Sequence, residues 1–256
     1  MSMLTKSTLT KFTKLATNLG SIVVKNPTGL RHVIGMALAT SEDVLDPELD
    51  LRSLPAVGVW ELTQAIGNAR CELHLFQGVQ AAIMPLEALA LASLVRAKGY
   101  KIIFEFGTYK GVSTTQLALN AGPDGKVYTL DLPEDDPRHE MTIRASEEKA
   151  LTDEKGKGSL VPADLVPRVH FLRQDSATFD PTPFESRIDF VFVDGAHSFE
   201  YVQNDTAKGW RMLRAGGTIA WHDCTPRHRE VVRFLKSFKH RVSRIAGTAL
   251  AFCVKP

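Results

Sequence analysis

The sequence has few cysteines, and they lie far apart. Cys71, Cys224 and Cys253 are three in number, so any pairing leaves one over, and no CxxC pair exists. A disulfide framework and a cysteine-based zinc site are excluded, and a reducing, cytoplasmic setting is expected. Long apolar runs are missing as well. The best stretch, residues 81–95, is interrupted by Pro85 and Glu87 and falls short of the roughly 20 apolar residues a membrane helix needs. There is no internal repeat and no low-complexity tract. Net charge is only +2, too weak a field to argue for nucleic acid. One absence is local: residues 1–41 hold no Asp or Glu.

That acid-free opening carries Lys6, Lys11, Lys14, Lys25 and Arg31. Of the 31 basic residues five lie there, which leaves 26 against 29 acidic ones in the rest of the chain. Leu4, Phe12, Leu15, Leu19 and Ile22 recur at roughly helical spacing. A basic amphipathic arm that packs on the protein or on a second subunit fits best; a transit peptide or a membrane-surface helix shares the same marks. A secretory signal fits poorly, because no long apolar core follows the first lysines.

The rest is an ordinary globular composition, 44% apolar and 23% charged over 256 residues, enough to bury a sizeable core. Residues 47–55 read as a connector. Helical patterns cover 57–68 and 85–98, the second stopped by Gly99. From Lys101 the pattern turns regular. Strands fit 101–106, 126–131, 168–173, 188–194 and 217–223, with helical patterns between them, notably 199–213 and 227–237. Such alternation implies a doubly wound, mostly parallel α/β sheet. Residues 242–244 and 248–254 suggest an antiparallel C-terminal hairpin at its edge. The charged segment 132–167 reads as one helix and a mobile loop around residues 155–158.

The stretch FEFGTYKGVSTTQLALNAG, residues 104–122, reads as strand, tight turn and helix. Gly107 and Gly111 sit in the turn, where glycine allows positive φ and close approach of a ligand. The spacing Glu105-x-Gly107-x-x-x-Gly111 is not the G-x-G-x-x-G of dinucleotide sites. In open α/β sheets, ligands bind beyond the carboxyl ends of the strands. There the second strand places Asp131, suited to accept hydrogen bonds from a ribose diol. The third places Gln174, Asp175 and Ser176, polar groups that could meet a base. The fourth ends in Asp194-Gly-Ala-His197 and the fifth in His222-Asp223-Cys224.

As a set these motifs resemble the class I S-adenosylmethionine-dependent methyltransferases. The form D-G-x-H-S-x-E, with L-R-x-G-G-T-I-x-x-H-D at the fifth strand, is similar to the small-molecule O-methyltransferase branch that includes macrolide-sugar and rhamnosyl methyltransferases and the cephalosporin hydroxylase-type group. The resemblance covers about residues 80–256. It divides the chain into an N-terminal basic arm and helical extension, 1–80, and a cofactor-binding domain, 81–256, with a Rossmann-like seven-stranded sheet. It implies a Rossmann-like site for S-adenosylmethionine along the glycine loop, residues Glu105, Gly107, Thr108, Tyr109, Gly111 and Ser113. Asp131 would hold the ribose, Asp175 and Ser176 would flank the adenine, and Asp194 would close the set. An NAD site also wants an acid after the second strand, but the loop spacing argues against it.

Methyl transfer requires that the acceptor lose a proton. Asp194, His197, His222 and Asp223 are the candidates, with His197 and Asp194 as the catalytic pair. Relatives of the catechol type hold Mg²⁺ with carboxylates at positions matching Asp194 and Asp223, and a divalent cation is expected there. The neighbouring ligand position is Cys224, a poor Mg²⁺ ligand. His197 or His222 could complete a site for a softer ion, or His197 could act as base. The implied acceptor is a small-molecule hydroxyl on a sugar, phenol or polyketide. Two other classes stay open: a cofactor-binding protein without turnover, and a nucleic-acid methyltransferase. Against the latter, no N-P-P-Y motif is present and the sheet region is not basic. The arm suggests contact between copies of the chain.

Overall fold

The computed structural model of the protein describes residues 49–256, except residues 66, 68, 69, 77, 78, 80, 81, 137 and 144–155. The expectations for the basic arm, for the linker start at 47 and for a helix within 132–167 fall wholly or partly outside the described residues. Leu51–Pro256 forms one unit built on an eight-stranded sheet.

The elements in chain order are β1 (Ala56–Val57), α1 (Val59–Ala65), α2 (Pro85–Lys98), β2 (Ile102–Phe106), α3 (Val112–Asn120), β3 (Lys126–Asp131), β4 (Val169–Arg173), β5 (Ile188–Val193), α4 (Phe199–Met212), β6 (Leu213–Trp221), α5 (Arg229–Ser237), β7 (Ser243–Ile245) and β8 (Ala251–Val254). Their spatial order is β1-β7-β8-β6-β5-β2-β3-β4. Every pair is parallel except the two that involve β8. The mostly parallel, doubly wound sheet is as expected. An eighth strand joins it: β1 pairs with β7 at the edge. The C-terminal strands do pair antiparallel, but β8 lies inside the sheet between β6 and β7.

Two apolar layers sandwich the sheet. On one face Leu91 and Val95 of α2 and Leu117 of α3 pack with Ile103, Val127 and Phe190. On the other, Val202 and Met212 of α4 and Val231 and Leu235 of α5 pack with Phe104, Val191 and Trp221. Strands buried on both faces read as continuous apolar runs, which is why IIFEF and IDFVFV show no alternation. The one acid inside IIFEF, Glu105, is fully buried.

From β2 the chain winds outward through β3 to β4, then returns to lay β5 and β6 on the opposite side of β2. The crevice between the carboxyl ends of β2 and β5 is therefore the topological switch point. The backbone is stitched there: Asp194 N donates to Phe106 O (2.8 Å) and Gly107 N to Leu130 O (2.8 Å).

Candidate active site

A cavity of about 380 Å³ opens at that switch point, within the range of small-molecule sites. Its walls include Gly107, Thr108, Tyr109, Ser113, Asp131, Asp175, Ser176, Asp194, His197 and Asp223, so the structure brings these expected residues together. Glu105 and Gly111 stand behind the wall instead of in it.

The glycines are explained by the protein's own backbone. Gly107 has φ 94°, and a Cβ there would run into the Asp194 carbonyl. Gly111 has φ 89°, and its Cβ would sit 2.6 Å from Val161 Cγ2. Both glycines let neighbouring loops close on the turn, and the cavity inherits its shape from that closure. Gly111 also begins α3 without a side-chain cap.

Asp131 ends β3 with its carboxylate turned to the same turn. Its Oδ2 accepts from the N–H groups of Thr108 (3.0 Å) and Tyr109 (2.8 Å). Its Oδ1 accepts from Lys157 Nζ at 2.6 Å, and both side chains are largely buried. Lys157 belongs to the K-G-K-G segment expected to be a mobile loop. Within the described residues that segment is fastened down: Gly158 N donates to Tyr109 O (2.7 Å) and Leu160 N to Lys110 O (3.0 Å).

Glu105 lies beneath the turn. Thr114 Oγ1 (2.5 Å) and Thr129 Oγ1 (2.7 Å) donate to its Oε2, while Oε1 is buried with no hydrogen-bond partner among the described residues. Burial lifts its pKa to about 7 against the pull of the Ser113, Thr114 and Thr129 hydroxyls. Asp205 of α4, which the sequence did not single out, behaves alike. Burial raises it to about 7, against Ser176, Asn204 and Lys208. Asp175 accepts from the Tyr201 hydroxyl (3.0 Å to each oxygen), from Ala177 N (2.8 Å) and from Glu140 N (2.7 Å).

The ends of β5 and β6 are built from acids and imidazoles. Asp223 has φ 57°, an uncommon conformation for a non-glycine residue and one often found at functional sites. His197 Nε2 lies 2.5 Å from its Oδ2, and His228 Nδ1 lies 3.0 Å from its Oδ1. His222 stands between acids: Nδ1 is 3.1 Å from Asp194 Oδ1, and Nε2 is 3.2 Å from Glu87 Oε2. Burial alone would lower the His222 pKa, but Asp194, Asp223 and Glu87 outweigh it and raise it well above the usual range. Burial likewise opposes charge on Asp223, yet His197, His222 and His228 hold its carboxyl below the usual range. Glu87 reaches the cluster from the first turn of α2, where it also accepts from Met84 N (2.8 Å) and Ala249 N (2.8 Å).

Cys224 turns away from this cluster. It is buried in the apolar layer beneath α5, its N–H donates to Ala249 O (2.8 Å), and burial pushes its thiol up to about 12. The donors around Asp194 and Asp223 are therefore carboxylate oxygens and imidazole nitrogens. Mg²⁺ prefers oxygen alone, and the cation lying against Asp194 is the His222 ring.

Residues 104–224 match a family model described as a methyltransferase domain. No curated protein matches the chain. Among solved structures, a cofactor-bound protein from MTB is 18% identical, covering 86% of this chain and 95% of that one, with a TM-score of 0.48. A SAM-dependent O-methyltransferase from Thermotoga maritima is 20% identical, covering 76% and 71%, TM-score 0.46. The O-methyltransferase TomG from Streptomyces achromogenes, in complex with SAM, is 17% identical, covering 86% and 96%, TM-score 0.45. The matched stretch runs from the buried acid strand to the His222–Asp223 turn, so the part of this chain that resembles a methyltransferase domain is the part that builds the cavity.

Proposed function

We propose that the protein transfers a methyl group from S-adenosylmethionine to a hydroxyl of a small molecule or sugar. The observation that carries this reading is the cavity at the switch point. A glycine turn and a strand-end acid line one side of it, and a His–Asp pair stands on the other. The first side suits a nucleoside amino acid. Glu105, Gly107, Thr108, Tyr109, Gly111 and Ser113 shape and charge the methionine end. Glu105, fully buried behind the wall, orients the turn from beneath. Asp131 takes the ribose, Asp175 and Ser176 border the base, and Asp194 lies where the sulfur would come closest to the acceptor.

On the second side the acceptor oxygen attacks the methyl carbon in line with the C–S bond. The new C–O bond forms as the C–S pair returns to sulfur, so the sulfonium becomes a neutral sulfide. The hydroxyl proton leaves to His197. Asp223 engages His197 through Nε2 and stabilises the imidazolium that forms, so Nδ1 is the nitrogen assigned to the proton. Asp194 steadies the cluster through His222. A divalent cation held through Asp223 would make the acceptor hydroxyl more acidic; the surrounding imidazoles favour a borderline ion over Mg²⁺, and Asp194, the other acid expected to hold it, is engaged by His222.

The acceptor class is a sugar, phenol or polyketide hydroxyl, and residues 1 to about 40 serve assembly or a surface contact rather than cofactor binding. The test is transfer of labelled methyl from S-adenosylmethionine to a panel of phenols and sugars, with the product bond identified by mass spectrometry. An ether product supports the reading; label on nitrogen or on nucleic acid overturns the choice of acceptor.

A further inference from the structure

We infer that His197, Asp223 and His228 form a binding site for a borderline transition-metal ion of the Zn²⁺, Co²⁺ or Mn²⁺ class. Their ligating atoms all lie within 4.8 Å of one another. The two imidazoles engage the two oxygens of one carboxylate. His197 Nε2 is 2.5 Å from Oδ2 and His228 Nδ1 is 3.0 Å from Oδ1. Their rings stack at 4.7 Å with a tilt of 26°, so the two imidazoles lie side by side against one carboxylate. Ligands about 2.1 Å from a tetrahedral ion sit about 3.4 Å from one another, so both rings must draw back from the carboxylate, His197 farther than His228.

The chemistry of the set selects the ion. Two imidazoles and one carboxylate suit Zn²⁺, Co²⁺, Mn²⁺ or Fe²⁺ and leave coordination positions open, whereas Mg²⁺ takes oxygen. A second trio, Asp194, His222 and Asp223, is equally compact. There the imidazole is committed at both ends, Nδ1 to Asp194 and Nε2 to Glu87. Among the described residues His228 makes one further polar contact, to the Thr225 hydroxyl at 3.4 Å, which an ion would replace readily. The three side chains are 24%, 16% and 21% exposed, so an ion can reach them from solvent. The left-handed backbone at Asp223 gives the strained geometry a reason to persist: it holds one carboxylate between two rings.

The site has a consequence for the proposed reaction, and here it rests on that reading. An ion on His197 Nε2 fixes the other ring nitrogen as N–H and removes the base. Ion-bound and base-competent states of His197 then exclude each other.

The binding test needs neither acceptor nor donor. The untagged full chain, stripped with chelator, is titrated with Co²⁺ and followed by visible ligand-field absorption. Expected is a saturable band that Zn²⁺ displaces and excess Mg²⁺ leaves unchanged. His228→Ala should weaken Co²⁺ binding tenfold or more, and Asp194→Asn should keep it within about threefold. Folding of each variant is checked by its thermal melt. No band in the wild-type protein overturns the site. So does a band that His228→Ala leaves intact, or one that Asp194→Asn abolishes. None of these results bears on methyl transfer itself.

Discussion

The two sides of the cavity are made of different materials. At the ends of β2 and β3 the acids face the protein's own backbone and hydroxyls: Asp131 holds two N–H groups of the turn, and Glu105 is wrapped by threonines. At the ends of β5 and β6 the acids face imidazoles: Asp223 with His197 and His228, Asp194 with His222. One side fixes shape through bonds to its own backbone and hydroxyls. The other side fixes charge and protonation through acid–imidazole contacts. The first should therefore fail by steric clash and loss of fold. The second should fail by loss of chemistry in a protein that still folds and still binds its donor.

The largest expected effect tests the shape side. Gly107→Ala puts a Cβ against the Asp194 carbonyl at a residue with φ 94°. It should cost about 3 kcal/mol or more in chemical denaturation and abolish adenosylhomocysteine binding. Gly122→Ala is the internal control. Its φ is 80° with nothing among the described residues within 4 Å of the new Cβ, so only the backbone penalty of about 1–2 kcal/mol applies. Equal costs at the two positions would break the argument for close approach at Gly107.

Next comes the chemistry side. His197→Ala should lower methyl-transfer kcat by about 10²- to 10⁴-fold, the usual contribution of a general base. Adenosylhomocysteine affinity should change less than about threefold. A variant that loses affinity and rate together would place His197 on the shape side.

A third prediction uses pH to separate the two. Glu105 has a carboxyl raised from 4.5 to about 7 in the folded chain. Between those values the native state binds more protons than the unfolded one, so stability is fully present below about 4.5 and declines as pH rises through about 7. The loss amounts to roughly 3 kcal/mol by the usual conversion of pKa shift to free energy. Asp205, raised to about 7 as well, contributes a slope of the same sign. Glu105→Gln should therefore reduce, without abolishing, the fall in melting temperature from pH 5 to 8. An unchanged slope would show that Glu105 is ionised throughout.

The smallest effect concerns Cys224. Cys224→Ala should cost about 1 kcal/mol, as a modest core truncation does, and leave Co²⁺ binding and donor affinity unchanged. A change in ion binding would return Cys224 to the site.

Much of this was legible in the sequence because it is local. The bounds of α2 and β3 follow from Pro85, Gly99 and the apolar run before Asp131, and the strand ends name most of the cavity wall. What escaped is contact at long separation. Glu87 meets His222 across 135 positions, and in the sequence it is merely a charge that interrupts an apolar stretch. Lys157 reaches Asp131 across 26 positions from a segment whose glycines suggest mobility. Those glycines are close-packing sites instead: a Cβ on Gly158 would strike the Phe171 ring. His228 falls inside the helical pattern read over 227–237, but it stands at the N-cap ahead of α5, which begins at Arg229, and its ring meets Asp223. β6 begins at Leu213, four residues before the expected start, because the glycines 216 and 217 look like a loop while in fact carrying a bulge beside β5. The place of β8 inside the sheet is a matter of pairing partners, which strand patterns do not encode. Cys224 shows the limit most clearly. Its position next to Asp223 matches a ligand position, but the left-handed turn at Asp223 sends its side chain into the core.

The central claim is that the crevice between β2 and β5 holds a sulfonium nucleoside. Isothermal titration of the full chain with S-adenosylhomocysteine tests it most directly, with NAD titrated in parallel. The account predicts saturable one-to-one heat with S-adenosylhomocysteine, lost in Gly107→Ala, and none with NAD. No heat with S-adenosylhomocysteine alongside clear binding of NAD would contradict it.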